Sequence, residues 1–333
     1  MSTLHITNGS CAGDLLQTFV DGPVVLMCDV LHEGPAPPVD GDAWHRTRAK
    51  VLADEFQSNV EEIRAGLARS DRAIADAVGH DDIVLWFEHD LFDQLELIRT
   101  LDLLVRAGRV LSDPAIVSLI CIDRFPGVER FIGLGQLTRD QLASLYPTRA
   151  PVTARQYATA ADAWNAFRSP DPAALLGIAV RLKADTTYGR ELPFLGDALL
   201  RLLAEYPSTT NGLSRTEQLA LRELYPAPMT GWALFAATQR HEPRPFLGDE
   251  TFYDTLRALA SARVPLVAVD APPNTLDLRE RVVSITPAGR DVVTGQRDHV
   301  ALNGIDRWKG GVHLVGADRS PWRWDESRET LIS

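Results

Sequence analysis

Glu88, His89, Asp90 and Asp93 stand directly behind the apolar run Val84-Leu85-Trp86-Phe87. Carboxylates held close together raise one another's pKa, and histidine titrates near neutrality, so such a group can supply both an acid and a base at physiological pH. The chemistry this spacing suits is hydrolysis or group transfer on a phosphorylated or nucleotide-like small molecule, with Glu88 or Asp90 as general base and His89 or His32 as general acid; the alternative is a ligand-responsive regulator whose carboxyl-terminal part binds DNA or a protein. His32 belongs to a second polar group, Asp29-Val30-Leu31-His32-Glu33-Gly34-Pro35, which follows the apolar run Val24-Val25-Leu26-Met27. A third, Asn8-Gly9-Ser10, follows Leu4-His5-Ile6-Thr7. The candidate catalytic residues are therefore Glu88, His89, His32 and Glu33. The candidate ligand-binding residues are His5, Asn8, Gly9, Ser10, Asp29, Asp90, Asp93 and Gln94. A divalent metal is a variant of the same idea, because His32, Glu33, Glu88, His89 and Asp90 carry suitable donor atoms, although their spacing matches no known metal motif.

Several of these residues also have plainer roles. Asp90 fits the N-cap of a following helix and Asp93 its third residue, a carboxylate form of the capping box that needs no chemistry. His5, in mid-strand, suits a hydrogen bond within the core better than a ligand contact. Asn8-Gly9 tolerates positive φ and Ser10 can cap the next helix; the turn is then either a cradle of N–H groups for a phosphate or carboxylate, or a capped turn without a ligand.

The elements that must position these groups follow from the pattern. A continuous apolar run with polar residues only after its end reads as a strand covered on both faces of a parallel sheet, and ligands of open α/β sheets sit beyond such strand ends. Four strands, ending near Asn8, Asp29, Glu88 and Asp123, are expected. A helix from Trp44 to about Ala77, one from Leu91 to about Arg106, and two over Thr138–Leu145 and Thr153–Phe167 would cover them. The fold class expected is α/β: an amino-terminal open, mainly parallel sheet with helices on both faces, then a mostly helical part. The expected divisions are an α/β domain over 1–175, a linker or insertion over 176–192 that includes the aperiodic Val180–Tyr188, a winged-helix-like domain over 193–300, and a docked tail over 301–333. The third rests on a capping box, Ser214-Arg215-Thr216-Glu217, on two strands around a Pro-Pro-Asn turn, and on the helix start Thr286-Pro287. Trp308, Trp322 and Trp324 would dock the tail, with His313 or Arg323 available to the strand ends.

The net charge is −11, and residues 1–188 carry −9 of it against −2 for 189–333. Such a chain gains little from phosphate attraction, and the helix that would enter a DNA groove carries Asp249, Glu250 and Asp254, so nucleic acid is a disfavoured partner and a small molecule the favoured one. Cys11, Cys28 and Cys121 form no disulfide or zinc pattern. The amino terminus has no basic region followed by a long apolar run, which leads to the expectation of a cytoplasmic protein without a membrane partner.

Leu4-His5-Ile6-Thr7-Asn8-Gly9-Ser10, Asp29 to Pro35 and Leu85 to Gln94 together resemble the bacterial family catalogued as domain of unknown function 1835. The resemblance covers about the first half of the chain. Gly133-Leu134-Gly135-Gln136-Leu137, Asn211-Gly212-Leu213 and Trp308-Lys309-Gly310-Gly311 are similar to segments of its longer members. The family has an aspartate after Asn-Gly where this chain has Ser10, so any role of that acid is lost or moved here. The resemblance implies no activity.

Overall fold

The structure is a computed structural model that describes residues 2–108, 116–184, 191–270, 272, 275, 277–316 and 322–333. The chain divides into two compact units, Met1–Leu199 and Leu200–Ser333.

The first unit is α/β. Strands β1 (Thr3–Asn8), β2 (Val24–Met27), β3 (Asp82–Glu88) and β4 (Val117–Ile122) run parallel in the order β2-β1-β3-β4, and a two-residue strand β5 (Ala150–Pro151) adds antiparallel to β4. The sheet is thus mainly parallel, as the apolar runs imply. In β3 every residue from Ile83 to Glu88 is buried, the signature of a strand covered on both faces. One cover consists of α1 (Ser10–Leu16) and α5 (Arg139–Leu145), whose Leu16, Leu142 and Leu145 pack with Val84, Trp86 and Ile120. The rest of the helical cover comprises α3 (Val60–Ala75), α4 (Leu91–Arg106) and α6 (Ala154–Phe167), with α2 (Gly41–Phe56) against α3. The order 2-1-3-4 reverses between β1 and β3, and a crevice beyond that reversal is where ligands of doubly wound sheets bind.

The expected single helix from Trp44 to Ala77 is two helices. Gln57 adopts φ 49 and ends α2, and the Asn59 side chain accepts hydrogen bonds from the N–H groups of Glu61 and Glu62 to start α3. The capping competes with helix continuation and wins. Ser10 is not the cap expected of it: Gly9, at φ 65, holds the N-cap position without a side-chain bond, and Ser10 is the exposed first residue of α1. Within Val180–Tyr188, expected as part of a linker, residues up to Ala184 continue helix α7 (Ala173–Ala184), which packs on α6; the remainder lies outside the described residues.

The second unit is mostly helical. Its elements are α8 (Arg215–Leu224), β6 (Met229–Thr230), α9 (Gly231–Arg240), α10 (Asp249–Ser261), β7 (Val267–Val269), β8 (Val282–Ile285), α11 (Pro287–Val293) and α12 (His299–Asn303). Leu221, Leu234, Phe252, Leu256, Val283 and Val292 form its core, and β6, β8 and β7 form a small antiparallel sheet. Ser214 and Glu217 make the reciprocal capping box, and Thr286 caps α11 with Pro287 as its first residue. Part of the Pro-Pro-Asn turn lies outside the described residues. The tail forms two hairpins, β9 (Ile305–Gly310) with β10 (Val312–Gly316), and β11 (Arg323–Asp325) with β12 (Thr330–Ile332).

Candidate functional site

Because β1 lies between β2 and β3, Asn8 and Glu88 end on neighbouring strands. The Asn8 amide donates to Asp93 Oδ2 across this junction. Asp93 Oδ1 accepts the Glu88 N–H at 2.8 Å, and Asp90 Oδ1 accepts the Asp93 N–H at 3.0 Å. Asp90 is therefore the N-cap of α4, and its capping role also brings it to Asp93 and Glu88. One carboxylate oxygen from each of Glu88, Asp90 and Asp93 lies within 4.8 Å of the others, and all three side chains are buried.

Glu88 is held from a further loop. Its Oε1 accepts the Leu134 N–H. Gly133 makes room for it: a Cβ at that position would overlap Glu88 Oε2 and approach the carboxyl carbon to 3.0 Å. Gln94 is structural, its amide donating to the Glu88 carbonyl at 2.5 Å and to Cys121 Sγ at 3.4 Å. Burial raises the Cys121 thiol far above its ordinary range, with Asp93 adding to the effect, so it stays protonated beside the acids.

The acids have no basic counter-charge: among the described residues no arginine or lysine forms an ion pair with Glu88, Asp90 or Asp93. Burial is the first cause of their shifted titration. It raises Glu88 to about 8, with Asp90 adding repulsion and the Leu134 N–H opposing. It raises Asp90 to about 7 against the N–H groups of Asp93 and Phe92. Asp93 is pushed well above the usual carboxylate range by burial, then by Glu88 and Asp90, against the Glu88 N–H and the Asn8 amide. Such a cluster either keeps protons at neutral pH or exchanges them for a cation. Oxygen-only donors suit hard ions such as Mg²⁺, Mn²⁺ or Ca²⁺.

The other sequence candidates separate from this cluster. His89 is buried with its ring 5.7 Å from that of Phe131 and 6.0 Å from that of Phe194. His32 lies against Phe92, 5.8 Å between ring centroids. Asp29 is engaged by Arg48, whose Nη2 stands 2.7 Å from Oδ1, and Arg48 also donates to the carbonyls of Val30, Glu33 and Pro35. Asp29 therefore anchors the loop that carries His32 and Glu33. His5 sits within the core, accepting from Trp86 Nε1 at 3.2 Å, and burial lowers its pKa. His313 stacks on Trp308 and bonds Asp306, and Arg323 pairs with Asp298, so both are engaged within the second unit. Sequence reasoning missed Arg48, Gly133 and Leu134; the Gly-Leu-Gly loop was the one signal of the last two.

No protein-family model matches the chain, and no curated protein does either. Among solved structures, the chain aligns with the DNA-binding, cleavage and re-ligation domain of Plasmodium falciparum topoisomerase II at 10% identity and a TM-score of 0.48, over 87% of this chain and 48% of that one. This chain thus spans about half the length of that one, and a likeness so distant says nothing of what this chain binds. Among the described residues no helix is long and apolar enough to cross a membrane.

Proposed function

We propose that the crevice beyond β1 and β3 binds a divalent cation through Glu88, Asp90 and Asp93, and uses it in hydrolysis or group transfer on a phosphorylated or nucleotide-like small molecule. The observation that carries this reading is the set of three buried carboxylates with no arginine or lysine partner among the described residues. A cation held by two or three carboxylates keeps open positions that phosphate oxygens fill, and it polarises the phosphorus–oxygen bond. The Asn8-Gly9-Ser10 turn would line the same crevice. With all three acids on the ion, the cation itself would lower the pKa of an attacking water, so no free carboxylate would be needed as base. His89 and His32, whose rings lie against Phe131 and Phe92, are supporting residues in this proposal.

The test is the melting temperature of the full chain with Mg²⁺, Mn²⁺ or Ca²⁺, then with nucleotides and sugar phosphates added, repeated on Glu88→Gln. The proposal requires a cation-dependent rise that the variant loses, and a further rise with a phosphorylated compound only when the cation is present. A melting temperature indifferent to all three ions removes it.

A second reading, a ligand-responsive regulator, draws on the order β6-α9-α10-β7-β8, two helices followed by a strand pair, which is compatible with a winged helix. The acids at the start of α10, half-buried Asp249 and exposed Glu250, favour a protein over DNA as its partner.

A further inference from the structure

The edge strand β2 forms one wall of a cleft of about 680 Å³ in the first unit. Leu52 and Phe56 of α2 and Ile63 and Leu67 of α3 supply apolar walls, and the size is in the range of roughly 300–1,000 Å³ typical of small-molecule sites. The charged residues lining it are Asp29, Arg69, Asp71, Glu96 and Arg99. Most of these are already balanced. Asp29 pairs with Arg48 at 2.7 Å, and Asp71 pairs with Arg99 at 2.7 Å while also bonding His45 at 2.8 Å. Arg69 is exposed.

Glu96 is the acid left over. It projects from α4, is wholly buried, and accepts the Asp29 N–H on Oε1 at 2.8 Å. Its Oε2 is buried and has no hydrogen-bond partner among the described residues. A buried polar atom without a partner is a standing cost that a ligand group can remove. Asp29 and Asp71 each have an arginine partner, so ionised Glu96 would be the carboxylate of the lining without an ion pair of its own among the described residues, while Arg69, also on the lining, is exposed to solvent.

We propose that this cleft binds an organic cation, a primary amine on an aliphatic or aromatic body, with its ammonium on Glu96 and its body against Leu26, Leu52, Phe56, Ile63 and Leu67. The site is separate from the acids behind β3 and does not depend on their binding a metal. The titratable and charged groups around Glu96 are Arg99 on its own helix, Cys28 and Asp29 after β2, Arg69 and Asp71 on α3, and Arg48 and His45 behind them on α2. Burial raises Glu96 to about 8, with Arg99 opposing and Asp29 and Asp71 adding. Amine binding must therefore expel a proton below that pH, while the amine itself stays charged to about pH 10.

The experiment is calorimetric titration of the full chain with n-hexylamine and with n-hexanol, at pH 6, 7, 8 and 9. The expected result is a preference for the amine of about tenfold or more at pH 8, an amine affinity that climbs with pH to 8 and then levels, and an alcohol affinity that does not move with pH. Glu96→Gln should abolish the preference. Phe56→Ala, at an exposed position of the cleft, should weaken both ligands severalfold. Equal affinity for the two ligands, an unchanged preference in Glu96→Gln, or no binding of either one overturns the proposal.

Discussion

Raising the pH of the metal-free protein from 5 to 8 should destabilise its first unit, and the acid cluster sets the size of the effect. In the unfolded chain Glu88 loses its proton near its ordinary 4.5, whereas in the fold it keeps it to about 8. Between those values the folded state binds the extra proton, so stability falls as pH rises through the window and is fully present only below it. A displacement from 4.5 to about 8 corresponds to roughly 5 kcal/mol for Glu88. Asp90, raised from 3.8 to about 7, acts in the same direction. The acids share one field, so their protons leave in succession and the effects do not add in full. Glu88→Gln replaces the protonated acid by a neutral isostere whose carbonyl can still accept the Leu134 N–H and whose NH₂ can face Asp90. The variant should therefore lose the share of the slope that belongs to Glu88 while Asp90 and Asp93 keep theirs, and at pH 8 without metal it should be more stable than the parent by a few kcal/mol. A saturating divalent cation should act oppositely on the parent, adding about 2.7 kcal/mol at one hundred times its dissociation constant, with an affinity that rises with pH. The assay is urea denaturation followed by circular dichroism at pH 5, 6, 7 and 8, with EDTA or with Mg²⁺. A flat profile for the metal-free parent, or the same slope in Glu88→Gln, would refute the assignment of buried, proton-holding acids.

Three further outcomes test the scaffold around the cluster. Arg48→Ala strands the Asp29 carboxylate in a buried site, and urea denaturation should show a loss of about 3–5 kcal/mol, whereas replacing both Asp29 and Arg48 by apolar residues should recover part of it. Gly133→Ala places a methyl on the Glu88 carboxylate and should lower cation affinity by about tenfold or more in calorimetry, with a smaller change in melting temperature. Asn59→Ala removes the side chain that starts α3 and should cost about 1 kcal/mol without affecting cation binding.

The sequence made the positions of the strand ends legible but not which of the groups there would meet. Apolar runs that stop abruptly placed Asn8 and Glu88 at strand termini and Asp29 two residues past one, because a strand in a covered sheet is mostly apolar until it ends, His5 and Thr7 being buried exceptions within β1. The neighbour relation of β1 and β3 was not legible, since connection length limits strand order without fixing it. The break at Gln57 was hidden for a different reason. Val51, Leu52, Phe56, Val60, Ile63 and Leu67 keep a helical spacing across it, and the only contrary signal is Asn59 ahead of two acids. Arg48, Glu96 and Arg99 were missed because a charged residue in a helical pattern reads as solvated, while all three are buried and hydrogen-bonded to other elements.

The residues most easily explained by local structure turn out to be the ones that converge. Asp90 caps α4, and Asp93 accepts the Glu88 N–H and the Asn8 amide, so each has a sufficient structural reason to be acidic. Yet those same bonds bring both carboxylates to Glu88, and among the described residues no arginine or lysine pairs with any of the three. A cap on a surface helix could be serine or asparagine at little cost, and α4 would start equally well. Buried beside two other acids, an aspartate at the cap is the costlier choice, by the full penalty of holding a proton against bulk water or of leaving a charge unpaired. Capping therefore accounts for a polar residue at position 90 but not for a carboxyl group there, and the unexplained difference is what a bound cation would supply. Asp90→Asn separates the two: it should keep α4 capped and the fold intact by circular dichroism, and it should weaken Mg²⁺ binding as strongly as Glu88→Gln does.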